Sequence, residues 1–134
     1  MSGERAGSDA GVITKLSQRS VADTVSRFRE MIADKGMTLF ATIDQAAAAR
    51  EAGLALRETV LVILGSPAAG TLVMQAAPLS ALDLPLKVLI WDDSGQTKVT
   101  YYAPSALAGR HHLSPELEAK LAGIDPLTDA LVAG

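Results

Sequence analysis

The segment 61–71, LVILGSPAAGT, constrains the fold more than any other stretch of this chain. Its first part is apolar at successive positions, which predicts a strand covered on both faces. Ser66 and Pro67 follow at once, and serine as N-cap with proline in the first helical position is typical of a helix start. We therefore expect an internal strand that leads directly into a helix, which Pro78 ends.

Gly65 and Gly70 also have the spacing of a phosphate-binding loop, G-x-x-x-x-G. Such a loop needs a lysine and then a hydroxyl residue after the second glycine, and here Thr71 and Leu72 stand in those places. An NTPase site is therefore excluded. A helix start at Ser66 can still attract a small anion, worth up to ~1 kcal/mol. The alternative is that Ser66 caps these amides itself and Gly70 allows close helix packing.

The remaining pattern alternates strands and helices irregularly. The predicted elements are a first strand before residue 20, a helix after Ser20 that Gly36 ends, a strand at 37–43, a short helix capped by Asp44, a hairpin at 86–103, and terminal helices starting at Ser114-Pro115 and Asp125-Pro126. A hairpin among helices, without regular strand-helix alternation, predicts the α+β class. Residues 1–11 are polar and glycine-rich and are predicted to be a disordered tail before a single domain at 12–134.

Composition narrows the classes of partner. The 134 residues carry a net charge of −3 and no cysteine. With no basic cluster we expect no nucleic-acid partner, and without thiols no disulfide or thiolate metal site. His111 and His112 are adjacent and diverge on a helix or strand, so we predict no metal and no cofactor. No apolar run is long enough to span a membrane, and we expect a cytoplasmic protein.

Four ordered motifs resemble one known family. They are F-x-x-I-D at 40–44, G-x-P-x-x-G-T at 65–71, D-L-P-L-K at 83–87 and R-H at 110–111. Together they resemble the prokaryotic family called domain of unknown function 302. The resemblance implies a curved antiparallel sheet packed against helices, similar to the architecture of the TATA-box-binding protein, and a homodimer, but no established activity. Gln45, Ser66 and Ala68 stand where the family pattern often has histidine, asparagine and lysine.

Three functions follow as alternatives. The first is a small-molecule or anion-binding module in a homodimer. Its candidate site residues are Asp44, Gly65, Ser66, Gly70, Thr71 and Lys87. The second is a structural or interaction protein without a ligand. The third is an enzyme that uses Asp44 or His111 for acid–base chemistry, which the loss of the family's histidine and lysine disfavours. We expect ligand binding, with a small anionic ligand.

Overall fold

A computed structural model of the chain describes residues 11–134. Its strands are β1 (Val12–Ser17), β2 (Thr38–Asp44), β3 (Thr59–Gly65), β4 (Leu86–Asp93) and β5 (Gln96–Tyr102). Its helices are α1 (Val21–Asp34), α2 (Gln45–Glu51), α3 (Pro67–Ala76), α4 (Pro104–His111), α5 (Pro115–Ala119) and α6 (Ile124–Val132), with a 3-10 helix at Pro78–Leu82. Within this range the strands form one open antiparallel sheet in the order β1-β5-β4-β3-β2. The α+β class is confirmed.

One face of the sheet carries the main core. Alternate residues of the inner strands point to this face, and α1 and α6 pack on it. The side chains of Phe28, Val62, Leu64, Ile90 and Val99 have no exposed surface. The apolar stripe of α1 therefore meets the alternating apolar residues of β3, β4 and β5, as its helical spacing predicts.

The opposite face of the sheet is lined by residues that lie outside the core clusters. We call it the open face and define it by Leu61, Ile63, Leu89 and Trp91, which are all half-buried. The indole Nε1 of Trp91 donates a hydrogen bond of 3.0 Å to Thr100 Oγ1 across the hairpin. This pair fixes the β4–β5 register on the open face.

Most predicted helix starts are confirmed by their caps. The side chains of Ser20, Asp44, Ser66 and Ser114 each accept a hydrogen bond from a backbone amide three residues on. The start predicted at Asp125-Pro126 is wrong, because α6 begins at Ile124. Asp125 Oδ1 instead accepts a hydrogen bond of 2.6 Å from the Tyr101 hydroxyl, so a tertiary contact replaces the expected cap.

The predicted disordered tail lies outside the described residues except for Gly11. That residue lies in a turn, and its carbonyl accepts a hydrogen bond from the amide of Ala103. Within residues 11–134, no helix has both the length and the apolar character needed to cross a bilayer.

Gly11 and Gly53 offer a matched pair of substitutions. Both have a positive φ, +80° and +79°, but a Cβ on Gly11 would lie 2.6 Å from Ala106 Cβ, whereas one on Gly53 meets nothing within 4 Å. We expect Gly53→Ala to lower the free energy of unfolding by about 1 kcal/mol, the cost of the left-handed backbone. Gly11→Ala should cost about 2–3 kcal/mol because the contact adds to it. Urea unfolding measures both, and equal losses would contradict the close contact.

Candidate functional site

An open groove of about 340 Å³ lies where β3 runs into α3. We call it the α3 groove. Its walls come from β2 and the residue before it, from the β3–α3 junction, from the segment before β4, and from the end of α5 and the start of α6. The lining residues are Met37, Phe40, Gly65, Ser66, Pro67, Ala69, Gly70, Thr71, Met74, Leu84, Pro85, Leu86, Lys120, Leu121, Gly123 and Ile124. The lining is thus mostly apolar, with few polar groups.

Glycine keeps this groove open. A Cβ on Gly70 would find only Met74 Cε, at 4.0 Å, so the position opens on free space. A Cβ on Gly65 would make ordinary contacts at 3.8 Å with Phe40 and Pro85. Since the groove is bounded by these small residues, larger side chains at either position would reduce its volume.

The polar groups of the groove are few. Ser66 Oγ accepts a long hydrogen bond of 3.4 Å from the Ala69 amide, and the Gly70 amide donates to the Ser66 carbonyl at 2.8 Å. These bonds occupy the amide donors of Ala69 and Gly70. Most of the donors that were expected to bind an anion at the helix start are therefore already used within the helix. Lys120, exposed at the end of α5, adds a cation to the lining. None of the ion pairs among residues 11–134 uses Lys120.

The structure separates the predicted site residues into three places. Gly65, Ser66, Gly70 and Thr71 line the α3 groove together. Asp44 does not join them, because β2 and β3 are antiparallel and their C-terminal ends lie at opposite ends of the pair. Thr38 is the residue of β2 that faces Gly65, and Asp44 faces Val60. Five residues of strand put Asp44 about 17 Å from Gly65, where its carboxylate caps α2 at 2.9 Å.

Lys87 lies in a different place, at the start of β4. Its Nζ donates hydrogen bonds to the carbonyls of Asp83 and Pro85, at 3.2 and 3.3 Å. It is not among the lining residues of the α3 groove. Lys87 and His111 both bind residues of the segment 83–85, whereas Asp44 caps α2, so the structure does not pair Asp44 with either of them for acid–base chemistry.

Around Asp83 a charged cluster forms that the sequence did not predict. Asp83 Oδ2 accepts hydrogen bonds from His111 Nε2 at 2.6 Å and from an Arg110 NH nitrogen at 2.9 Å. With Lys87 bound to the Asp83 carbonyl, these four residues form what we call the Asp83 cluster. All four residues belong to the motifs that resemble the family: D-L-P-L-K contains Asp83 and Lys87, and R-H consists of Arg110 and His111. Spacing alone gave no reason to join them.

Hydrogen bonding controls the charge of Asp83. Burial by itself would raise the pKa of this carboxyl, but the hydrogen bonds from His111 and Arg110 outweigh burial and hold the pKa below its ordinary value. The carboxylate is thus stabilised as an anion. Within the described residues, no group of three or more histidines and carboxylates is placed to hold a metal ion.

The lowered pKa of Asp83 predicts a pH dependence of stability. A carboxyl with a depressed folded pKa stabilises the fold above its unfolded pKa, near 4, and this contribution is lost as the pH falls further. We expect Asp83→Asn to lower the free energy of unfolding by about 1 kcal/mol at pH 7, and the gap from the parent protein should narrow as the pH drops below about 4. Urea unfolding at several pH values tests this, and a gap that stays constant would contradict it.

Comparison with known proteins identifies the family. The model of the family described as "Domain of unknown function DUF302" matches residues 13–131, nearly the whole described chain. The chain belongs to the DUF302 family. A crystal structure of an uncharacterised conserved DUF302 protein from Bacillus stearothermophilus superposes with a TM-score of 0.77 at 21% identity, covering 91% of this chain and 95% of that one. At this identity the likeness shows the fold alone, and it agrees with the expected α+β architecture.

Curated relatives from Brucella match a shorter segment of this DUF302 protein. The protein called fluoride-specific ion channel FluC 1 from Brucella suis biovar 1 (strain 1330) is 42% identical over 106 residues, which are 78% of this chain and 42% of that relative. A protein of the same name from Brucella abortus biovar 1 (strain 9-941) is also 42% identical over 106 residues, which are 39% of that relative. The chain thus spans about two fifths of the curated relatives it matches.

Proposed function

We propose that this DUF302 protein is a binding module whose α3 groove takes a small amphiphilic acid, a molecule with an apolar body and one anionic head group. One observation carries the proposal: a mostly apolar groove of about 340 Å³ beside a well-packed core. Pockets for small molecules start near this size, and most are lined by apolar side chains with a few polar groups that orient the ligand. Phe40 is half exposed at the groove and offers contact area to an apolar body.

The anionic head follows from the one lysine at the rim, because Lys120 lines the groove and supplies a cation. Among residues 11–134, no aspartate or glutamate lines the groove. A carboxylate or sulfonate head therefore gains attraction at the rim, while its apolar body is removed from water inside the groove.

The names of the Brucella relatives raise fluoride as another ligand, but the geometry of the groove does not support it. A small, strongly hydrated anion needs several hydrogen-bond donors to replace its water shell. Hydrogen bonds to water that are lost and not replaced cost several kcal/mol. In the groove the helix start is largely capped by Ser66, and most other lining groups are apolar. We therefore do not extend the fluoride activity of those proteins to this site.

Titration with two probes tests the proposal. Octanoate has an aliphatic body and a carboxylate, and 1-anilinonaphthalene-8-sulfonate has an aromatic body, a sulfonate and a fluorescence signal. We expect saturable binding of at least one probe at one site per chain, with competition between them if both bind. Native mass spectrometry of gently purified protein checks in parallel for a ligand carried through purification.

A matched lysine pair tests the head group. Lys120→Met should weaken probe binding about three- to tenfold, because the cation at the rim is lost. Lys35→Met removes an exposed lysine after α1 that does not line the groove, and it should leave binding unchanged. Absence of saturable binding by both probes, or equal effects of the two substitutions, would overturn the proposal.

The second candidate function is assembly of a homodimer through the open face, which also suits a purely structural or interaction protein. The observation that favours it is a row of half-buried apolar residues that belong to neither core cluster of residues 11–134, namely Leu61, Ile63, Leu89 and Trp91. Neighbouring apolar residues, Leu16 at 55% and Ile43 at 38% exposure, extend this surface. Contiguous apolar patches of this kind commonly mark interfaces.

Sedimentation velocity tests assembly. A dimer should become a monomer in Ile63→Lys, which puts a charge in the middle of the open face, whereas Leu79→Lys, at a residue 72% exposed on the 3-10 helix, should stay dimeric. A monomeric parent protein would exclude this assembly at the concentrations used.

Cytoplasmic location also stays a prediction from composition, which cell fractionation checks.

A further inference from the structure

The Asp83 cluster is separate from the α3 groove, although the two share a wall. In the segment 83–87, Leu84 and Pro85 line the groove, Asp83 and Lys87 line a small pit, and Leu86 lines both. The pit measures about 30 Å³. This is room for about one water-sized atom, which is also the size of one oxygen of a bound oxyanion.

Three positive or donating groups bind Asp83 in this cluster, two at its carboxylate and Lys87 at its backbone carbonyl. Asp83 Oδ2 is shared by Arg110 and His111, so its negative charge is already offset by the guanidinium. Lys87 donates only to backbone carbonyls, and none of the ion pairs among residues 11–134 uses it. Counting Lys87, Arg110 and Asp83, the cluster keeps one net positive charge in a protein whose total is −3.

Arg110 is held in position but keeps free donors. One of its nitrogens binds Asp83, and the centre of its guanidinium lies 5.2 Å from the centroid of the Tyr102 ring. Its side chain is 44% exposed. A guanidinium has five N–H donors, so most of them remain for another acceptor. Tyr102, whose ring lies under Arg110, also lines the pit together with Lys87.

We propose that Lys87 and Arg110 form an oxyanion-binding site, in which one oxygen of a phosphate or carboxylate group enters the pit beside Lys87 and another accepts from Arg110. Asp83 and His111 act as positioning residues, since Asp83 binds the guanidinium and His111 binds the same carboxylate oxygen. The site goes beyond the groove proposal and does not depend on it. The shared chemistry is a planar or tetrahedral oxyanion that can accept from two cations at once.

NMR titration of the full ¹⁵N-labelled chain tests this site. Inorganic phosphate and acetate are added separately at constant ionic strength, with chloride as the reference anion. We expect saturable shifts of the amides at Lys87, Tyr102, Arg110 and His111, with a Kd of about 1–10 mM for one of the two probes. Phosphate alone would assign a phosphoryl group and acetate alone a carboxylate. Shifts that do not saturate, or that spread over the surface, would overturn the proposal.

Matched variants separate this site from general salt effects. Lys87→Met should weaken binding at least about tenfold, whereas Lys87→Arg should keep most of it because the cation remains. Lys98→Met is the control, because Lys98 also lies on the hairpin but is bound to Asp93 at 2.6 Å. If Lys87→Met does not fold, Arg110→Met tests the other cation. Binding that survives loss of both cations would overturn the site, whatever the outcome of the groove titrations.

Discussion

Gly70→Trp is expected to reduce binding of octanoate and anilinonaphthalenesulfonate at the α3 groove by more than tenfold. The position lies on the groove side of α3, and a Cβ there would approach only Met74 Cε, at 4.0 Å. An indole can therefore enter the groove without displacing the backbone. It should occupy much of a space of about 340 Å³ with apolar surface of the kind the ligand body would otherwise supply.

The matched control at the same position is Gly70→Ala. Replacing a helical glycine by alanine should raise the free energy of unfolding by about 0.5–1 kcal/mol, because glycine has more backbone entropy to lose. Its single methyl group should leave most of the groove open and change probe binding less than threefold. Fluorescence titration and urea unfolding of the two variants measure both effects. Full probe binding in a folded Gly70→Trp protein would place the ligand outside this groove.

Local chemistry explains which parts of the fold could be predicted from the sequence. Ser20, Asp44, Ser66 and Ser114 cap helices because each side chain reaches an amide three residues on, a contact that the local sequence alone defines. The strands of the hairpin follow from two-residue alternation for the same reason. Asp125 does not cap a helix, because its carboxylate is bound to Tyr101, 24 residues away. The spacing of neighbouring residues does not predict a contact at that range.

The candidate site shows the same division. Gly65, Ser66, Gly70 and Thr71 meet at one groove because they are neighbours in the chain. Asp44 was expected beside them because it also ends a strand, but only the antiparallel pairing of β2 and β3 decides which strand ends meet. The contact of Asp83 with His111 joins residues 28 positions apart. Such a tertiary contact depends on the direction that α4 takes after β5, which the residue patterns did not predict.

Phe28→Ala is expected to lower the free energy of unfolding by about 3–5 kcal/mol, the largest loss of stability that we predict for a single substitution. The ring has no exposed surface and belongs to the main core, where α1 packs on the sheet. Removing it loses the burial of a large apolar side chain and leaves a cavity among branched residues such as Val62 and Ile90, which collapse only partly around it. Urea unfolding monitored by circular dichroism measures the loss.

Phe40→Ala is the matched comparison, because this second phenylalanine is 50% exposed and lines the α3 groove. Its removal should cost less than about 1.5 kcal/mol, since much of its surface already contacts water. Probe binding should nevertheless weaken severalfold, because one wall of the groove is lost. The two phenylalanines thus separate folding from binding. A large stability loss for Phe40→Ala, or a small one for Phe28→Ala, would contradict this assignment of the main core. Unchanged probe binding in Phe40→Ala would instead restrict the ligand to the α3 and α5 walls.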